Sequence, residues 1–149
     1  MRRVSIQAED FDVAAELAAL EALGGGGVAS FTGVVRGEGG LIALELEQYP
    51  AMTQAQVERI VEEAWGRWPL LGVSVIHRFG RLEPGARIVF VGTASRHRTA
   101  ALESCAFLID WLKSQAPFWK KEYFGDGATA WVEARAEDEA RARGWGDVC

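Results

Sequence analysis

Thiol chemistry has little to draw on in this chain, because Cys105 and Cys149 are its only cysteines. One lies inside a helical pattern and the other at the last position, so they suggest neither a disulfide framework nor a thiolate metal cluster. Cys105 reads as a small buried hydrophobe, with a persulfide-carrying or nucleophilic role as the rival reading. Basic residues are also outnumbered. The chain sets 16 Lys and Arg against 21 Asp and Glu, a formal net charge of -5. That balance argues against general nucleic-acid binding, in which cations must neutralise phosphates, although it leaves room for a local basic pocket.

No apolar run approaches the roughly 20 residues of a membrane span. The opening Met1-Arg2-Arg3-Val4-Ser5-Ile6 leads straight to Gln7, Glu9 and Asp10 with no apolar signal region. A cytoplasmic protein is expected, with neither membrane nor nucleic acid among its partners. The motifs HExxH, paired CxxC, P-loop and GxGxxG and a serine elbow are missing too. Metal-assisted hydrolysis and nucleotide phosphate transfer therefore have no support in the sequence, and no metal site is expected.

What is present suits one ordinary globular domain over residues 1–149, with 49% hydrophobic and 25% charged residues. Val13, Leu17 and Leu20 recur at helical spacing until the run Gly24–Gly27 stops them. Val28–Val35 and the alternating Leu41–Glu47 read as strands around a flexible "RGEGG" loop. Thr53 with Gln56 forms a capping-box signature for a helix that Pro69 ends. Val73–His77 and Ile88–Gly92 flank a Pro84-Gly85 turn and are expected to pair as a hairpin. A third helical pattern runs from about Ser95 to Ser114 and stops before Pro117. After "GDGA", a short strand at Trp131–Glu133 and a charged terminal helix complete the chain. Helices interspersed with hairpin-like strands favour an α+β fold over a doubly wound parallel sheet.

The chemistry concentrates around the third helix. At about 100° per residue, Lys113 falls about 20° from Leu102 on a stripe shared with Ala106 and Ile109. An amine there either snorkels past the helix end and satisfies terminal carbonyls, or is desolvated, which lowers its pKa and suits proton transfer. "SRHR", Ser95–Arg98, opens the same helix, where free backbone N–H groups beside His97 and Arg98 would suit a phosphate or carboxylate. Arg36 is delivered from a strand end into a glycine-rich loop. His77 shares parity with Val73 and Val75 and reads as a satisfied core or interface histidine. The stretch "DWLKSQAPFWKKEYF", Asp110–Phe124, places lysines among aromatic rings, which a solvated surface would not need.

Taken together, "FTGVVR" at Phe31–Arg36, "VIHRFG" at Val75–Gly80, "SRHR", "DWLK" at Asp110–Lys113, "PFWKKE" at Pro117–Glu122 and "WVEAR" at Trp131–Arg135 resemble the large, catalytic subunit of molybdopterin synthase. The resemblance covers nearly the whole chain. It implies an α+β fold with an α/β hammerhead portion and an added antiparallel β portion. It also implies a homodimer in which each protomer holds a small ubiquitin-like sulfur carrier, giving a heterotetramer. The carrier's C-terminal thiocarboxylate would supply two sulfurs to cyclic pyranopterin monophosphate, forming the molybdopterin dithiolene without a cofactor or metal.

Residue by residue, the resemblance implies catalytic roles for Lys113 and Lys120, with Lys121 a bystander. It implies substrate-binding roles for Arg36, His97 and Arg98, and for Arg135 as an arginine lent across the dimer interface. Pro117, Phe118 and Trp119 are expected to form a turn that carries Lys120 back towards Lys113. The alternative to catalysis is a receptor that merely binds a ubiquitin-like tail.

Overall fold

The computed structural model of the protein describes residues 1–132 and 135–146. Two apolar strands with few charges, β4 (Leu70–Arg78) and β6 (Arg87–Ser95), form the centre of the first sheet. Near-continuous apolar runs of this kind suit strands covered on both faces. The sheet order is β1-β4-β6-β2, with β1 (Arg2–Gln7) parallel to β4 and β2 (Gly27–Val34) antiparallel to β6. The expected pairing of β4 with β6 is antiparallel.

Strand parity decides which helix each face receives. Val73, Val75, Val89 and Val91 pack with α2 (Pro50–Arg67) and α3 (Arg98–Ser114) on one side. Ile76, Phe90 and Ala94 pack with Leu20 of α1 (Val13–Glu21) on the other. Asp12 caps α1 by accepting from the Ala15 N–H at 3.1 Å.

The second sheet is wholly antiparallel, in the order β5-β3-β7-β8, from β5 (Gly80–Leu82), β3 (Leu41–Gln48), β7 (Phe118–Phe124) and β8 (Thr129–Val132). Val35, Leu41, Leu46 and Leu82 form its own small core, and Ile88 packs against both this cluster and the main one. The chain passes from one sheet to the other just after β4. Gly80, with φ +93°, takes a backbone conformation there that a side chain would oppose. The α+β class holds, as a helix-covered sheet joined to an antiparallel one.

Several expectations need correction. β1, β5 and β7 are strands that the sequence does not announce: β1 is short and polar, β5 has three residues, and β7 carries three consecutive charges, Lys120, Lys121 and Glu122, at its centre. Phe118 and Trp119 therefore begin a strand and do not form a turn. Helix α2 starts at Pro50, one turn before the capping-box signature, because proline suits a first helical turn. Thr53 is consequently fully buried inside the helix, its hydroxyl without a hydrogen-bond partner. Of the final motif "WVEAR", Glu133 and Ala134 lie outside the described residues, as does Cys149. The expected terminal helix is α4 (Ala136–Arg143).

The helical wheel also needs a reversal. Leu102, the reference residue of the Lys113 stripe, is 59% exposed. The stripe buried against the sheet is instead Ala101, Ser104, Cys105, Leu108, Trp111 and Leu112. Helix α3 has two apolar stripes, and periodicity alone does not say which one meets the sheet. The outer stripe, with Ala29, Ser30 and Phe31 of β2, lines an open groove of about 320 Å³.

Candidate active site

Two elements from different sheets bring the lysines together. Lys113 sits in the last turn of α3, which packs on the first sheet. Lys120 sits on β7 of the second sheet, opposite Leu46 on one side and Val132 on the other. Both line one cavity of about 360 Å³. Arg36, from the segment after β2, and Arg135, just before α4, line the same cavity, and Arg141 of α4 adds a further guanidinium. Lys121 lies on the opposite face of β7, its ammonium 5.4 Å from the ring centroids of both Tyr123 and Trp131. Alternation along the strand thus separates the adjacent lysines.

Helix α4 is short and charged, and Trp145, just beyond its C-terminal end, fixes its position over the cavity. The Trp145 indole Nε1 donates to Asp110 Oδ2 at 2.7 Å, and Arg67 Nη1 donates to the Trp145 carbonyl at 2.6 Å. The same indole meets Trp68 and Phe107 edge-to-face, at 5.7 and 5.6 Å between centroids. Two of the chain's six tryptophans, Trp68 and Trp145, therefore anchor this helix. Asp138 enters the cavity from α4, although in the sequence it is one charge among many in a helix that reads as solvated.

Burial lowers the pKa of both lysines below the ordinary lysine value. For Lys113, the Asp138 carboxylate opposes that shift and the Arg36 guanidinium adds to it. For Lys120, the Lys113 ammonium pushes further down while Asp138 pulls up. The site therefore holds two amines that release a proton more readily than free lysine, beside arginines that stay charged. Such a site attracts an anion and exchanges protons with it.

His97 and Arg98 do not reach this cavity within one chain. They are exposed at the opposite end of α3, and 15 residues of helix put Arg98 about 22 Å from Lys113 at 1.5 Å per residue. His97 occupies the N-cap position without a side-chain cap bond. Arg135, expected to serve a partner's site, lines the cavity of its own chain and pairs with Glu137.

Cys105 is buried, its thiol directed to the Val91 carbonyl at 3.8 Å, and burial pushes its pKa up to about 11. That is the opposite of what a nucleophilic or persulfide-carrying thiol needs. Among the described residues no cluster of His, Cys, Asp or Glu is arranged to hold a metal ion, and no helix is long and apolar enough to cross a membrane.

Comparison with known proteins agrees with this architecture. The family model described as "MoaE protein" matches residues 6–115. The molybdopterin synthase catalytic subunit of Mesorhizobium japonicum is 54% identical over 146 residues, covering 95% of this chain and 92% of that protein. Among solved structures, the molybdopterin biosynthesis MoaE protein of Burkholderia ambifaria superposes with a TM-score of 0.84 at 46% identity, covering 99% of each chain. Molybdopterin synthase from Staphylococcus aureus superposes with a TM-score of 0.79 at 29% identity, covering 89% of this chain and 98% of that one. With a family model matching most of its length and relatives near half identity across nearly all of it, the chain belongs to the MoaE family.

Proposed function

We propose that the protein is the catalytic subunit of a molybdopterin synthase, a sulfur-transfer enzyme. It moves sulfur from the C-terminal thiocarboxylate of a small ubiquitin-like carrier to cyclic pyranopterin monophosphate, forming the dithiolene of molybdopterin. The observation that carries the reading is the convergence of Lys113, Lys120, Arg36 and Arg135 on one cavity. Both reactants are anionic, and the cavity offers fixed positive charge where water is partly excluded. Lys113 and Lys120 neutralise the thiocarboxylate and the charge that develops as sulfur departs and water enters. Their lowered pKa values let Lys113 pass protons in the same steps. Arg36 and Arg135 hold the phosphate and pterin. The reading assigns no resident cofactor and no metal, because lysine charge and proton transfer supply the chemistry.

The word "subunit" in the relatives' name supports a second polypeptide in the assembly, here the carrier. The uncovered outer stripe of α3 supports a homodimer. Leu102 and Phe31 are 59% and 39% exposed beside the apolar groove, and that groove lies between Arg98 at one end of α3 and Lys113 at the other. A two-fold axis through it would bring α3 of a second copy antiparallel to the first. His97 and Arg98 of that copy would then approach Lys113, which accounts for their substrate-binding role despite their distance within one chain.

The test is dithiolene formation from the cyclic pterin and a thiocarboxylated carrier, comparing the native chain with Lys113→Ala and Lys121→Ala. Activity in the native chain and Lys121→Ala, lost in Lys113→Ala, supports the reading. A Lys113→Ala chain with full activity removes the role given to that lysine. Inactivity in all three with the carrier still bound leaves a receptor for the carrier's tail.

A further inference from the structure

His77 takes no part in the chemistry above, yet it lies where the two sheets meet beside the lysines. It is 5% exposed and shares the parity of Val73 and Val75, on the face of the first sheet that α2 and α3 cover. Its ring stacks on Phe118 with centroids 3.8 Å apart and planes 17° from parallel. Nδ1 lies 2.9 Å from the Arg78 carbonyl, and since a carbonyl only accepts, that nitrogen carries the proton. The ring is thereby held by its own strand and presents a flat face to the second sheet.

Phe118 is the first residue of β7 and lines the cavity. Lys120 comes two residues later, so both side chains leave the strand on the same face. Lys113 is carried by the first sheet through α3, and Lys120 by the second sheet through β7. The relative placement of the two amines therefore depends on how the sheets are locked together at this end.

Resting on the function proposed above, we infer that His77 is a positioning residue for Lys120: its imidazole, stacked on Phe118, joins the two sheets and sets where the Lys120 amine stands relative to Lys113. The groups around it fit this role. Burial acts most strongly against its protonation and the hydrogen bond to the Arg78 carbonyl opposes that, while Lys120 on β7 and Lys113 on α3 stand near enough for both to add to the effect of burial. A neutral ring is what such a joint needs. An imidazolium would be a third cation under two ammonium groups, with no carboxylate among the groups acting on it.

Two readouts decide the matter, one independent of turnover. The chain contains three lysines, Lys113, Lys120 and Lys121. Lysine labelled with carbon-13 at Cε therefore gives three resonances, and the Lys120 signal is the one absent from Lys120→Arg. In His77→Leu, which removes the ring, water reaches the joint. The Lys120 titration midpoint should rise towards the ordinary lysine value, and kcat for dithiolene formation should fall at least tenfold with KM within about threefold, as expected when a reacting group is misplaced. His77→Phe keeps a stacking ring and should restore the midpoint, with kcat within about threefold of native.

A folded His77→Leu chain with native kcat and native Lys120 midpoint overturns the proposal. So does a folded His77→Phe chain that behaves like His77→Leu, since the stack would then not be what matters. Should His77→Leu not fold, Phe118→Leu removes the other ring and is expected to raise the Lys120 midpoint in the same way. If the native chain forms no dithiolene, the function proposed above fails, while the titration still decides whether His77 sets the Lys120 environment.

Discussion

Acid should unfold this protein earlier than its carboxylates alone would require, and His77 is the reason. Burial is the main cause that moves its pKa from 6.5 down to about 3, against the opposing hydrogen bond to the Arg78 carbonyl. The unfolded chain therefore binds a proton near pH 6.5 that the folded chain accepts only near pH 3. Between these values the unfolded state holds more protons, so stability is complete above the upper value and falls as pH drops through the window. Each pH unit is worth about 1.4 kcal/mol. At pH 5, about 1.5 units below the unfolded value, the loss from this residue alone is about 2 kcal/mol, and at pH 7.5 it is close to zero.

The assay is urea unfolding at pH 7.5 and pH 5.0 for the native chain and for His77→Phe, which does not titrate. Carboxylates contribute equally to both, so the difference of differences isolates His77. The variant should lose about 2 kcal/mol less than the native chain on acidification. Equal losses in the two proteins would refute the reasoning, because they would mean that the imidazole titrates alike folded and unfolded.

Other parts of the structure lead to three further outcomes. Gly26→Ala should cost about 1–3 kcal/mol in urea unfolding, because a Cβ there would meet the Arg96 carbonyl oxygen at 2.5 Å and backbone must yield; a change below about 0.5 kcal/mol would show that the loop shifts freely. The Cys105 thiol, buried with its pKa near 11, should react with iodoacetamide at pH 8 at least tenfold more slowly than a free thiol in the folded chain and normally in urea, measured by mass spectrometry on the peptide containing it. Lys113→Arg keeps the charge and loses the releasable proton, so carrier binding should persist within a few fold while dithiolene formation falls about 10²-fold or more; comparable turnover would assign Lys113 a purely electrostatic role.

How much of the fold and site is legible in the sequence depends on whether the deciding contact is local. Most of the helix-covered part of the fold is legible, because α1 and α3 announce themselves by apolar spacing and β4 and β6 by near-continuous apolar runs. Strand β7 is not, because "FWKKEYF" alternates on a two-sided sheet where neither face is wholly apolar. The first strand is hidden for the same reason, being recognised only by its parallel partner. Lys113 stands out from its neighbours on the wheel, yet the stripe that singles it out is the outer one. Which stripe meets the sheet is settled by partners outside the helix, Val73 and Val75 on β4 and Val91 on β6. Asp138 carries no sequence signal of its own, since it enters the cavity only because Trp145 docks on α2 and α3.

The four-glycine run reads in the sequence as punctuation, and its packing explains it. A Cβ on Gly25 would meet the Ser95 carbonyl oxygen at 2.4 Å, and the neighbouring Gly26 meets Arg96 as closely. These residues lie against the "SRHR" segment, so glycine there lets one backbone rest directly on another. The helix start that carries His97 and Arg98 is held by backbone contact, which leaves those side chains exposed for use.

The division of labour between arginine and lysine ties these features to the chemistry. Among the described residues the ion pairs are made by arginine, including Arg3 with Glu16, Arg67 with Glu63, and Arg78 and Arg87 with Asp10. Arginine suits that work because it stays charged and forks across a carboxylate. All three lysines fall between residues 113 and 121, and burial lowers the pKa of both that face the cavity. On the function proposed above, phosphate binding needs only permanent charge, which Arg36 and Arg135 would supply. Sulfur transfer from an acyl carbon also needs a cation that can become a base within the same site, and lysine alone among the cavity's cations can do so. Placing one lysine on a helix packed against the first sheet and the other on a strand of the second then makes their spacing a property of the joint between the sheets, where His77 and Phe118 stack.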